Sequence, residues 1–157
     1  MKIKLLVVGK TDERYIEEGI EKYLKRLKHY INFEIVVLPD VKQGSKLNTE
    51  KLKEEEGKLI LQKIESSDQL ILLDEKGKSL TSEEFSVFIQ KKMNGGFSAL
   101  VFAVGGAFGF SEEVHKRANE RLSLSKMTFS HQMVRLFFTE QLYRAFTIIK
   151  GEKYHHK

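Results

Sequence analysis

Short runs of strand-forming apolar residues alternate along this chain with segments whose apolar residues recur at helical spacing. That alternation constrains the fold more than any single motif does. Ile3 to Val8 is an apolar run closed by Gly9 and reads as a buried strand of the parallel kind. Ile16, Ile20, Leu24 and Leu27, with Tyr23 beside them, then mark one face of a helix that Asp12 is expected to cap. Glu17, Glu18, Lys22, Lys25 and Lys28 fill its other face. Phe33 to Leu38 is the next strand, and Pro39, the sole proline, closes it. A polar loop is expected over Val41 to Asn48. A helix follows from Asn48 or Thr49 to about Ile64, with Leu52, Leu59, Ile60 and Ile64 as its apolar stripe. Leu70 to Leu73 is a third strand, from which residues 74–78 are expected to turn away. Thr81 or Ser82 starts a helix carrying Phe85, Phe88, Ile89 and Met93. Glu84 stands three residues after Thr81, as in a capping box, and Asn94-Gly95-Gly96 ends the helix. Ala99 to Val104 reads as the most central strand. The pattern predicts an α/β fold with a mostly parallel sheet flanked by helices. At 157 residues it fits one domain, 1–157, with no repeat or linker.

Charge and cysteine content narrow the function. The net charge of +5 favours polyanionic partners, RNA above all, through phosphate contacts and counterion release. The absence of cysteine excludes disulfides, thiolate metal sites and a cysteine nucleophile. No run approaches the roughly 18 apolar residues a membrane span needs. Met1 leads directly into the first strand without a secretory pattern, so no membrane association and a cytoplasmic location are expected.

The last helix, about Gln132 to Ile149, is apolar around most of its circumference. Met133, Val134, Leu136, Phe137, Phe138, Leu142, Tyr143, Ala145, Phe146, Ile148 and Ile149 do not fit one stripe. Such a helix must be buried on two sides. Either it is the central core helix of a monomer, or its second side packs on another subunit. The expectation taken here is a homodimer with this helix near the interface.

Two segments could meet a ligand. Gly105-Gly106-Ala107-Phe108-Gly109 follows the central strand and precedes a helix. This is the usual ligand position in an α/β sheet, although a purely structural turn has the same sequence. It is neither a phosphate loop nor a dinucleotide fingerprint. Leu122 to Phe129 is a small-residue segment whose backbone could meet a planar base, or an ordinary strand and loop. His131, Arg135, Glu140, Arg144 and the tail Tyr154-His155-His156-Lys157 supply most of the remaining polar chemistry. Arg144 can pair with Glu140 at i,i+4 or face a phosphate. The adjacent tail histidines have no third ligand at suitable spacing, so no metal is expected.

Read together, the residues resemble a known family over essentially the whole chain. The matching segments are Lys2 to Lys10, Leu72 to Lys78, Phe102 to Gly109, Leu122 to Arg135, Glu140 to Ala145, and the closing Tyr154-His155. The family is RlmH, SPOUT-class methyltransferases acting at N3 of a pseudouridine in large-subunit (23S) rRNA. The resemblance implies a SPOUT fold with a C-terminal trefoil knot, a homodimer, and the assembled ribosome as substrate. It implies an S-adenosylmethionine pocket made by Leu73, Gly105, Leu124, Ser125, Lys126, Met127, Thr128 and Phe129. By the same resemblance His131 and Arg144 lie at the target base, His131 as proton acceptor or orienter. Arg144 would steady the nucleotide or the developing anion. Arg135, Tyr154, His155 and Lys157 are expected RNA contacts.

Two departures stand out. Many relatives have Pro where this chain has Ser130, which is expected to loosen the helix start. Some end in Tyr-His-Arg, so His156 or Lys157 must stand in for an Arg, His156 being the expected catalytic substitute. Three rivals remain open to the sequence: a SPOUT enzyme for another RNA, a ribosome-binding protein without catalysis, and a flavodoxin-like nucleotide binder.

Overall fold

The computed structural model describes residues 1–41 and 48–156. The elements in order are β1 (Lys2–Val8), α1 (Arg14–Leu27), β2 (Asn32–Leu38), α2 (Thr49–Leu61) and β3 (Gln69–Ser79). They continue with α3 (Ser82–Met93), β4 (Ala99–Val104), α4 (Glu112–Arg117), β5 (Glu120–Ser123) and α5 (His131–Ile149). Most of the loop expected over Val41 to Asn48 lies outside the described residues.

The strands form one sheet in the order β2-β1-β4-β3-β5, and every pairing is parallel. All six residues of β4 are buried, so the expected central strand is central. Parallel strands need both faces covered, which is why they read as continuous apolar runs. Ile3, Leu5 and Val7 pack with Leu27 of α1, Phe85 and Ile89 of α3, and Phe138, Leu142 and Phe146 of α5. Leu6, Val8, Val101 and Ala103 face the other way, against Ile60 of α2 and Val114 of α4. The result is a three-layer α/β/α sandwich.

Helix α5 lies against both α1 and α3, with the sheet beneath it. This position accounts for most of its encircling apolar surface. The ring of Phe138 stands 4.6 Å from that of Phe102, and burying such a side chain contributes roughly 1.5–3 kcal/mol. One strip stays open, where Phe137 is 37% exposed.

Several local expectations are corrected. Asp12 does not cap α1: the N-cap is Glu13, and its side chain makes no capping bond. The Asp12 backbone N–H instead donates to Gln132 on α5. Residues 74–77 do not end β3. They bulge out of its ladder, and pairing with β5 resumes at Lys78. Gly77 is required there, because a Cβ would lie 2.7 Å from the Arg121 carbonyl carbon. Ser130 does not loosen the start of α5; its hydroxyl accepts from the Met133 N–H as an N-cap. The Thr81/Glu84 capping box forms as expected.

Candidate active site

The carboxyl ends of β3, β4 and β5 converge, and each feeds a segment that folds back by local hydrogen bonds. After β4, the Gly109 N–H donates to the Gly106 carbonyl at 3.2 Å, closing a tight turn with Gly109 at φ +88°. Only glycine adopts that φ without strain. After β5, the Ser123 hydroxyl donates to the Ser125 carbonyl at 2.6 Å. The Met127 N–H donates to the Ser125 hydroxyl at 3.0 Å. The Thr128 hydroxyl donates to Glu75 of the β3 bulge at 2.6 Å, tying this segment to the third strand.

A cavity of about 720 Å³ lies between these segments. Leu73, Gly105, Leu124, Ser125, Met127, Thr128, Phe129 and His131 all line it. Of the residues expected to form the pocket, Lys126 alone is absent from its wall; it is exposed. A Cβ on Gly105 would come within 3.3 Å of both the Gly109 backbone and the Phe110 ring, so the loop is close-packed where it borders the cavity. Phe108, 54% exposed, belongs to the expected ligand loop and lines the wall. Sequence reasoning missed Lys53 from α2, which also lines it. It also missed Glu56, whose carboxylate lies behind the loop where a Gly106 side chain would stand. Burial, and after it the neighbouring Asp40, pushes the Glu56 carboxyl up from its ordinary value. Its position in the stripe, four residues after Leu52 and four before Ile60, was the available signal.

Arg144 and the tail gather elsewhere. His131 opens α5 and Arg144 lies 13 residues on, which at about 1.5 Å per residue separates them by roughly 20 Å. Arg144 donates through Nε to Glu140 Oε1 at 3.1 Å and through Nη2 to the same oxygen at 2.5 Å. That hydrogen bonding raises the Arg144 guanidinium further above neutrality and keeps it charged. Its Nη1 meets His155 Nδ1 at 3.1 Å, and His155 Nε2 lies 3.0 Å from Glu83 Oε1. Tyr154 lays its ring 4.7 Å from the guanidinium and donates its hydroxyl to Glu140 at 3.0 Å. Burial, and after it the hydrogen bonds to Tyr23 and Glu140, raises the Tyr154 hydroxyl well above its ordinary range.

The expected RNA contact at Arg135 is corrected. That side chain is 1% exposed, and its guanidinium donates to the carbonyls of Val8 and Gly9, each at 2.9 Å, and to Thr11 at 3.2 Å. It fastens the end of β1 to α5 and has no access to a nucleic acid. His156 is exposed at the end of the described tail, and Lys157 lies outside the described residues. Among the described residues no cluster of His, Cys, Asp or Glu could hold a metal, and no helix is long and apolar enough to cross a membrane.

Comparison with known proteins decides the family. The family model described as "Predicted SPOUT methyltransferase" matches residues 1–155. The chain belongs to the SPOUT methyltransferases. Within that SPOUT family it is 57% identical over 157 residues to the "Ribosomal RNA large subunit methyltransferase H" of Christiangramia forsetii, covering all of both chains. It is 58% identical over 156 residues to the protein of the same name from Cytophaga hutchinsonii, 99% of this chain and 100% of that one. Identity to the Bacteroides thetaiotaomicron protein of that name is 48% over 157 residues, again spanning both chains. The five-stranded parallel sheet with helices on both faces is this SPOUT chain's version of the expected α/β class.

Proposed function

We propose that this chain is a single-domain, S-adenosylmethionine-dependent rRNA methyltransferase that methylates N3 of a pseudouridine in large-subunit rRNA. It would act in the cytoplasm as a homodimer on the assembled ribosome. The observation that carries this reading is the cavity where the Gly105 loop, residues 124–129 and His131 meet. The names of the full-length relatives support the rRNA substrate. The pseudouridine and the assembled ribosome rest on the resemblance to RlmH.

The residues fit the cofactor. The cavity lies within the roughly 300–1,000 Å³ usual for small-molecule sites. Gly105 presents backbone only, and the turns at Ser125 and Met127 fix the backbone groups of the facing wall. Leu73, Gly105, Leu124, Ser125, Met127, Thr128 and Phe129 would hold the cofactor. When bound, S-adenosylmethionine supplies a methyl already activated by its sulfonium, so no metal is needed. His131, on the cavity wall, would accept or orient the proton that leaves the base N3. Arg144 would steady the nucleotide or the negative charge that develops on its base.

One chain cannot bring His131 and Arg144 to one base across roughly 20 Å of helix. A two-fold contact between α5 and its copy, crossing antiparallel, would do so twice. It would set His131 of each subunit beside Arg144 of the other. The midpoint of the two positions falls between residues 137 and 138, where Phe137 is the exposed apolar side chain.

The test is transfer of labelled methyl to ribosomes lacking the modification, with free rRNA and tRNA in parallel. Label in a large-subunit pseudouridine of ribosomes alone is the expected result, and label in tRNA would overturn the substrate. Mixing inactive His131→Ala and Arg144→Ala chains tests the shared site. Each mixed dimer then carries one intact pair, so activity returns on mixing and subunit exchange. Continued inactivity of demonstrated mixed dimers would overturn the two-subunit site.

A further inference from the structure

We infer that Glu83 is a positioning residue for the methyl transfer, acting through His155 on Arg144; the inference rests on the function proposed above. Neither Glu83 nor His155 then needs to touch RNA. A guanidinium has only donors, so His155 Nδ1, 3.1 Å from Arg144 Nη1, must accept with its lone pair. The ring proton therefore resides on Nε2, which donates to Glu83 Oε1 at 3.0 Å. With both nitrogens engaged, the imidazole is a strut between two helices rather than a free RNA contact. Glu83 stands in the first turn of α3, and Arg144 lies near the far end of α5.

Arg144 is thereby held from several directions. Glu140 takes its Nε and Nη2, His155 takes its Nη1, and the Tyr154 ring covers its plane. The Tyr154 hydroxyl is itself fixed by Glu140 and lies 3.4 Å from the Tyr23 hydroxyl of α1. Five N–H groups less these three leave two for a nucleotide oxygen. A guanidinium tethered through Glu140 alone could swing about its stem. The contact from His155 fixes which edge remains free, and Glu83 fixes the imidazole. This is the arrangement by which an outer partner orients a histidine and the histidine orients the reactive group. As a single hydrogen bond from a neutral imidazole at a partly exposed position, the Glu83–His155 contact would contribute little to stability, so its value is geometric.

The experiment uses the full-length dimer, with ribosomes as substrate and S-adenosylhomocysteine as the probe of cofactor binding. Glu83→Ala should lower kcat about tenfold, the usual loss when an orienting partner is removed. The KM for ribosomes and the affinity for S-adenosylhomocysteine should hold, as for a contact made only in the transition state. In proton NMR, the slowly exchanging His155 Nε2–H resonance should disappear. Glu83→Gln keeps a carbonyl acceptor and should retain both the resonance and most of kcat. Wild-type kcat in Glu83→Ala, a resonance that survives it, or equal losses in the Ala and Gln variants would each overturn the inference. Wild-type protein that methylates no ribosome would instead overturn the proposed function. The imidazole resonance would then decide the Glu83–His155 contact on its own.

Discussion

Replacing Arg135 separates its structural role from a nucleic-acid role most sharply. The side chain is 1% exposed and donates to two main-chain carbonyls at the end of β1, with Nε left unpartnered among the described residues. Burial pushes the guanidinium down from its ordinary value, while Asp12 and Asp40 favour its charge. Arg135→Ala would strip the Val8 and Gly9 carbonyls of their donor. Each buried acceptor left unpaired costs about 1–3 kcal/mol. The void left by the stem adds to this, and relief of the buried charge offsets part of it. A net loss of about 3–4 kcal/mol follows, near the low end for removing one partner of a buried charged contact. At about 2–4 °C per kcal/mol for a domain of this size, the melting temperature should fall by roughly 10 °C. Arg135→Met fills the stem's space and should lose about half as much. Urea unfolding followed by circular dichroism gives the free energies. RNA binding across a salt series should keep the wild-type slope, because a lost phosphate contact would reduce that slope by about one. A loss below about 1 kcal/mol together with a reduced slope would refute the clamp and return Arg135 to the RNA surface.

Two further outcomes test the cavity. Gly105→Val should abolish S-adenosylhomocysteine binding by calorimetry while the protein stays folded, since even a Cβ is only 3.3 Å from the Gly109 backbone; unchanged affinity would sink the pocket assignment. Burial and Asp40 raise the Glu56 carboxyl, so the folded state holds that proton more tightly than the unfolded one. Stability should therefore drop as pH rises from the unfolded carboxylate value through the folded one. Glu56→Gln should remove that drop, matching wild type at acid pH and exceeding it at neutral pH in urea melts.

The fold was legible where a residue's role depends on its near neighbours. β4 is uniformly apolar because helices cover both of its faces, and the Thr81/Glu84 box needs only a four-residue window. The site was legible in part for the same reason, since the Gly105 loop and residues 122–129 are contiguous. What stayed hidden depends on distant partners. Arg135 was read as a possible RNA contact because its acceptors lie some 125 positions away in sequence. Glu83 looks like any acid in a first helical turn, and its 3.0 Å contact with His155 depends on a tail residue 72 positions away. The bulge in β3 is invisible until β5 pairs with it on both sides. The knot implied by the family resemblance depends on how the chain threads, which local spacing does not encode.

Helix α5 explains why its sequence resisted a simple reading. Periodicity assigns a helix one inner face and one outer face. This helix has the sheet beneath it, α1 and α3 beside it, and Arg135 reaching across to close β1. Its first turn lines the cavity through His131, and its last turns carry the arginine that the tail encloses. A helix so constrained along its length cannot bend to bring those ends together. The separation of His131 from Arg144 is therefore a fixed distance rather than a matter of conformation. On the function proposed here, that rigidity makes the second subunit a chemical necessity: the dimer supplies the half of the site that one straight helix holds too far away.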